Sequence, residues 1–319
     1  MRRYAILFAL VSLFLPVTVF SQTPEAAINH FKNAVKKSGN GDLDGAIEDF
    51  TRAIRLSSYS GTRIGSNNAI GNSFTESREA ASSEEITIVD PFTANAYSNR
   101  GLVRYQKGDY AGAIEDLNQA IRIRPALALA YLNRSAALNA LGDTPGALKD
   151  LDKAIALDKE LFQAYNNRGI LNLESGNHKA TLTDLNRAVE LNNKVAEPFY
   201  YRGKTYLALT DFDAAIADFD RAIKLEPTMA WGYQGRGAAF MSKGLMVRAL
   251  DDFNRVIELD PKIAWAYLNR GLIWVFLGDE KKAENEFAEC LKLKPELKAE
   301  LEKRAALARH LHRIGNAPE

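Results

Sequence analysis

Cysteine is nearly absent from this chain: of 319 residues, only Cys290 carries a thiol. A lone cysteine excludes an internal disulfide framework and any metal site built from several thiolates. An excess of charge of either sign is missing too. With 41 basic and 40 acidic side chains the net charge is +1, which gives no electrostatic reason to expect nucleic acid or an acidic membrane as partner. Histidine is scarce. His30, His178, His310 and His312 are scattered, and the last two, two apart in a helical stretch, face different directions, so no metal site is expected. No glycine-rich phosphate loop, nucleophile elbow or zinc-binding helix motif occurs. The expectation is a chain with no catalytic residues and no cofactor. Long apolar runs are also lacking, with one exception. Arg2 and Arg3 precede an apolar run from Tyr4 to Phe20, interrupted by Pro16, and Val19-Phe20-Ser21 offers residues suited to cleavage. Residues 1–21 therefore read as a secretory signal peptide, with a membrane contact only if it stays uncleaved. The expected location is outside the cytoplasm, periplasmic or secreted.

What the chain has in quantity is repetition. At a spacing of 34 residues, Arg100, Arg134, Arg168, Arg202, Arg236 and Arg270 fall in register, as do Asp49, Asp116, Asp150, Asp184, Asp218 and Asp252, with Glu286 closing the series. A fixed period of this length marks a stacked array in which no unit can bury its apolar face alone. Units start near Ala27, Ala94, Ala128, Phe162, Ala196, Ala230 and Ala264, and each holds two segments with apolar residues at helical spacing. A glycine such as Gly108 supplies the turn after the first helix, and an Asp or Asn such as Asp109 caps the second. Pro125, Pro227, Pro261 and Pro295 stop the second helix. Gly101, Gly169, Gly203, Gly237 and Gly271 fall inside first helices and mark the crossing with the partner helix. Cys290 stands where other units carry alanine and reads as a buried structural thiol.

This pattern resembles the tetratricopeptide repeat: an aromatic at the fourth position of the unit, glycine at the eighth, alanines at the twentieth and twenty-seventh, and proline at the thirty-second. Motifs such as Asn99-Arg100-Gly101 and Asn269-Arg270-Gly271 look like the bacterial variety. Ser135, Thr181 and Thr210 depart from the pattern locally. The resemblance implies an all-α fold, a right-handed solenoid of stacked helix-turn-helix units. It divides the chain into a first unit at 22–60, six consecutive units at 94–297 and a capping helix with tail at 298–319. Between the first two units, residues 61–93 are rich in Ser, Thr, Asn and Gly and read as a disordered surface insertion.

In the resembling family the first helices line a concave face. Its sixth position here reads Asn99, Asn133, Asn167, Tyr201, Gly235 and Asn269. Asparagine gives and accepts hydrogen bonds at once, as a peptide amide does, so the four Asn positions are candidate backbone contacts for an extended peptide. Tyr200, Tyr201, Trp231, Trp265, Met241 and Phe276 are candidate aromatic and apolar anchors, and Asn139 and Lys204 add polar points. The second and fifth positions carry no cation, so the carboxylate clamp by which some family members hold chaperone tails is not expected. The expected role is a non-enzymatic scaffold binding another protein or peptide in the groove. The alternative is a structural part of a cell-envelope assembly, joined through the convex face or the terminal helices.

The two charged ladders end differently. The first unit has Asp49 but Asn33 where the Arg belongs; the last has Arg270 but Glu286 in place of Asp. That asymmetry predicts pairing between successive units: Asp49 with Arg100, Asp116 with Arg134, Asp150 with Arg168, Asp184 with Arg202, Asp218 with Arg236 and Asp252 with Arg270. In the terminal helix, Leu297, Leu301, Ala305, Ala308 and Leu311 form the stripe expected to cover the end of the array.

Overall fold

The computed structural model describes residues 23–60 and 91–315. The expected signal peptide at 1–21 and most of the expected insertion, residues 61–90, lie outside the described residues. Every described regular element is helical. One compact body ends at Asn167 and contains α1 (Glu25–Gly39), α2 (Leu43–Ser60), α3 (Pro91–Lys107), α4 (Tyr110–Ile123), α5 (Ala128–Ala140) and α6 (Thr144–Leu157). Helix α7 (Phe162–Glu174) gives its first residues to this body and its last to the next. The second body contains α8 (His178–Leu191), α9 (Ala196–Ala208), α10 (Phe212–Leu225), α11 (Ala230–Ser242), α12 (Met246–Leu259), α13 (Ala264–Phe276), α14 (Glu280–Leu293) and α15 (Lys298–Gly315), the last preceded by a 3-10 turn at Pro295–Leu297.

The helices pair as hairpins for reasons visible in the turns. Gly108 sits at φ +89°, a left-handed conformation that only glycine adopts without steric cost, and Thr210 is forced to φ +62° where its turn lacks one. The carboxylates of Asp42, Asp109, Asp143, Asp211 and Asp279 each accept the backbone N–H three residues on, at 2.9–3.1 Å, capping the second helix. Asn177 occupies the equivalent place without making that bond. Small residues then let the paired helices close. A Cβ on Gly271 would lie 2.5 Å from the Phe287 ring, and Ala46, Ala113, Ala147, Ala215, Ala249 and Ala283 are fully buried opposite these crossings.

Hairpins stack through their neighbours. The second helix of one contacts the first helix of the next, as α4 does α5 and α10 does α11. First helices also touch each other, α3 with α5, α9 with α11 and α11 with α13, while the second helices α4 and α6, or α10 and α12, make no comparable contact. First helices therefore occupy the inner side of each body's stack. The fold is an all-α solenoid.

Three expectations need correction. Helix α3 begins at Pro91, so residues 91–93 belong to a hairpin and not to the insertion. Phe92 is buried with its ring 5.3 Å from Phe31, and the Thr93 hydroxyl donates to Ser57 Oγ at 2.8 Å, which extends the helix by a turn. The stripe of α15 also ends differently. Leu301, Ala305 and Ala308 are buried, but His312 takes the next inward place, Nδ1 lying 3.0 Å from the Phe276 carbonyl, and Leu311 stays 47% exposed.

The third correction concerns the ladders. Each Arg closes on the Asp of its own hairpin, not on that of the preceding unit. In Arg100–Asp116, Arg134–Asp150, Arg168–Asp184, Arg202–Asp218 and Arg236–Asp252, Nε and Nη2 donate to the two carboxylate oxygens at 2.6–2.9 Å. The antiparallel crossing sets these residues face to face. The link between units runs instead through Nη1, which reaches the residue two beyond the Asp of the preceding hairpin. Arg100 meets Thr51 at 2.9 Å, Arg134 meets Asn118 at 2.7 Å, Arg202 meets Asn186 at 2.8 Å and Arg270 meets Asn254 at 2.9 Å. Two residues are about 200° around a helix, which turns that side chain away from its own partner. Asp49 is not orphaned: His30 Nδ1 at 2.8 Å and Lys37 Nζ at 2.7 Å, one turn either side of Asn33, stand in for the missing Arg. Glu286 reaches Arg270 Nη2 at 2.7 Å but leaves the buried Nε without a partner.

Candidate functional site

The inner side of the first body is polar yet closed. Asn95, Ser98 and Asn99 on α3 and Asn133 on α5 are all 0% exposed, and Asn167 is 1% exposed. Neither the amide nitrogen nor the oxygen of Asn133 has a hydrogen-bond partner, and the same holds for Asn95 and for the Ser98 hydroxyl. Leaving such a group buried and unpaired costs about 1–3 kcal/mol. Asn167 Oδ1 accepts from Asn166 Nδ2 at 3.4 Å. Asn139 is engaged locally, accepting from the Thr144 hydroxyl at 3.2 Å. The period singled out Asn99, Asn133 and Asn167 and put Asn95 and Ser98 at inner positions beside them; it gave no hint of their full burial.

In the second body the inner side is aromatic, and its candidates divide. Asn269 is half-buried. Trp231 stands 53% exposed at the start of α11. Trp265, Met241 and Phe276 are half-buried and pack against the cluster formed by α13, α14 and α15, and the Arg304 guanidinium of α15 lies 5.3 Å from the centre of the Trp265 ring. These three help to seat the terminal helix. Tyr200 and Tyr201 are edge-to-face, 5.0 Å apart, and Tyr200 also lies 6.0 Å from Phe219. One turn further along α9, Lys204 Nζ sits 5.7 Å from the Tyr200 ring centre and 5.5 Å from that of Tyr201. Burial pulls the Lys204 ammonium below the ordinary lysine range, and the carboxylate of Glu174 opposes this only in part. Gln234 on α11 keeps a buried Oε1 with no donor.

Burial pushes the Cys290 thiol up, as expected of a structural residue. Among the described residues no group of three His, Cys, Asp or Glu side chains could hold a metal ion, and no helix is long and apolar enough to cross a membrane.

Comparison with known proteins agrees with this architecture. The TPR repeat model matches residues 101–139, and two tetratricopeptide repeat models match 196–229 and 266–297. No curated protein matches the chain. Among solved structures, a tetratricopeptide repeat protein from Parabacteroides merdae is similar over 89% of this chain and 100% of its own, at 19% identity and TM-score 0.58. PilF of Pseudomonas aeruginosa is similar over 65% of this chain and 97% of its own, at 20% identity and TM-score 0.59. YrrB, described as a TPR protein with an unusual peptide-binding site, is similar over 62% of this chain and 99% of its own, at 23% identity and TM-score 0.52. At these identities the likeness establishes the fold. Repeat models thus match three separate stretches of a stack of helical hairpins, and at those stretches the chain carries tetratricopeptide repeats.

Proposed function

We propose that this protein is a non-enzymatic scaffold that holds an extended segment of another protein along the inner side of its helices. The observation that carries the reading is Asn133, which is buried with donor and acceptor both unused. A peptide unit supplies the missing acceptor and donor together, regardless of side chain, once the neighbours that cover the fully buried Asn133 move aside to admit it. Asn95 repeats the same unmet requirement on α3, one helix away. On the second body, taken by itself, exposed Trp231 provides an anchor of the kind that dominates interface energies. We propose that the protein works outside the cytoplasm, on the strength of Arg2, Arg3 and the apolar run that follows them; its recovery in the cytoplasmic fraction alone would overturn that.

The test uses Asn133→Leu. Removing an unsatisfied buried amide in favour of a similar apolar shape raises stability by about 1–2 kcal/mol. The same change weakens binding of extended peptides in fluorescence anisotropy. A variant that is more stable and binds equally well would remove Asn133 from the site.

A second reading rests on α15, where Leu307, Leu311 and Ile314 are 58%, 47% and 59% exposed at helical spacing. This stripe suits membership of an envelope assembly through the terminal helix. Leu311→Glu would then break the assembly in size-exclusion chromatography while leaving peptide binding untouched.

A further inference from the structure

Lys204 is out of place in its register. At the equivalent position of the other units stand Val35, Leu102, Ala136, Ile170, Ala238 and Leu272, all apolar. A cation set into an apolar column loses hydration and gains no packing, which is a conflict that proteins retain mainly where function needs it. Here the conflict is not relieved by pairing: no ion pair or hydrogen bond among the described residues involves the Lys204 ammonium, whose only close contacts of charge type are the two tyrosine ring faces. A ring quadrupole attracts a cation without neutralising it. Glu174 acts on Lys204 through space and offsets the effect of burial only in part.

We propose that Lys204, set against the rings of Tyr200 and Tyr201, is a subsite for a side-chain carboxylate of the bound peptide, with Gln234 Oε1 accepting from a backbone N–H of the same segment. The proposal rests on the groove reading above and gives it a sequence preference: an acidic residue in an otherwise undemanding extended chain. Charge decides the class of ligand. A single half-buried cation with a carboxylate in its neighbourhood suits a monovalent anion and disfavours a phosphate dianion, which requires more positive charge than α9 and α11 present here. The acceptor of Gln234, buried without a donor on the helix that contacts α9, calls for an N–H, and a peptide carries that group beside the carboxylate. Burial also holds the ammonium below its usual range, so an incoming carboxylate meets a cation that water stabilises poorly.

The experiment measures fluorescence anisotropy of the full chain with two pools of labelled extended peptides. They share a background of Ala, Ser, Thr and Val and differ only in one fixed position, Glu in the first pool and Gln in the second. The wild type is expected to bind the Glu pool about tenfold more tightly, the scale of one charged hydrogen bond. Lys204→Met, which restores the apolar column and keeps the fold, abolishes that preference and leaves the Gln pool unaffected, while Lys204→Arg retains most of it. Equal binding of both pools by the wild type overturns the acidic subsite and leaves the groove standing, as does a preference that survives in Lys204→Met. A Lys204→Met protein that loses both pools equally shows Lys204 to act without selectivity, and overturns the subsite too. Binding of neither pool overturns the groove reading and this subsite with it.

Discussion

Arg134 shows how much one side chain carries in this array. Two of its nitrogens hold Asp150, a third reaches Asn118 of the preceding hairpin, and the guanidinium lies 5.5 Å from the Tyr131 ring centre. The hydrogen bonds to Asp150 keep the guanidinium charged and raise its pKa against the opposing effect of burial. Arg134→Ala leaves the Asp150 carboxylate buried without its partner and is expected to cost about 2–3 kcal/mol, allowing for the partial exposure of the arginine. Asn118→Ala removes only the link to the preceding hairpin and should cost about 1 kcal/mol or less. Urea unfolding followed by circular dichroism separates the two; equal losses would mean that the link between units matters as much as the closure within one. At Asp49, burial pushes the carboxyl up, but Lys37 and His30 outweigh it and hold it below the ordinary carboxylate range. A depressed carboxyl stabilises the fold above its unfolded pKa, and this contribution is lost as pH falls through the folded value. The α1–α2 hairpin should therefore loosen in acid, below about pH 4. Hydrogen exchange on Asp49→Asn should show that part of the acid sensitivity removed.

Glycine's meaning at the scale of a helix depends on what stands opposite. In α13, Gly271 faces Phe287, and a Cβ would sit 2.5 Å and 2.7 Å from two ring carbons. Gly271→Ala is expected to cost about 1–3 kcal/mol as α13 and α14 are pushed apart. Gly39 ends α1 with nothing within 4 Å of an added Cβ, and Gly39→Ala should stabilise by about 0.5–1 kcal/mol. Thermal unfolding of the two variants in opposite directions is the expected result; a neutral Gly271→Ala would show that Phe287 can turn aside freely. The helices themselves were readable in advance. The segment Tyr110–Ile123 follows from Gly108, the Asp109 cap and the stop before Pro125, because all three act within a turn of the backbone they control. The face of α15 was not readable to its end. Leu311 and His312 both lie near the edge of the stripe, and the choice between them was made by a carbonyl at the end of α13.

Across a whole body, stability is expected to be passed from hairpin to hairpin, since each touches chiefly its neighbours. Gly271→Ala should then accelerate hydrogen exchange first in α13, α14 and α15, and last in α9 and α10; uniform acceleration would show that the second body opens as one unit. Sequence alone determined which residues are equivalent. The 34-residue period and local turn chemistry fix the hairpins, their turns and their all-α character, because these depend on contacts within a few residues. Only the tertiary structure decided what each equivalent residue touches. Two carboxylates were available to every ladder arginine by the period, and the close crossing of paired helices selected the one in its own hairpin. Likewise the period aligned Asn133 with Asn269 as equals, while lateral packing left the first fully buried and the second half-buried. Burial sums over neighbours brought together from distant parts of the chain, and a repeat pattern holds no record of that sum.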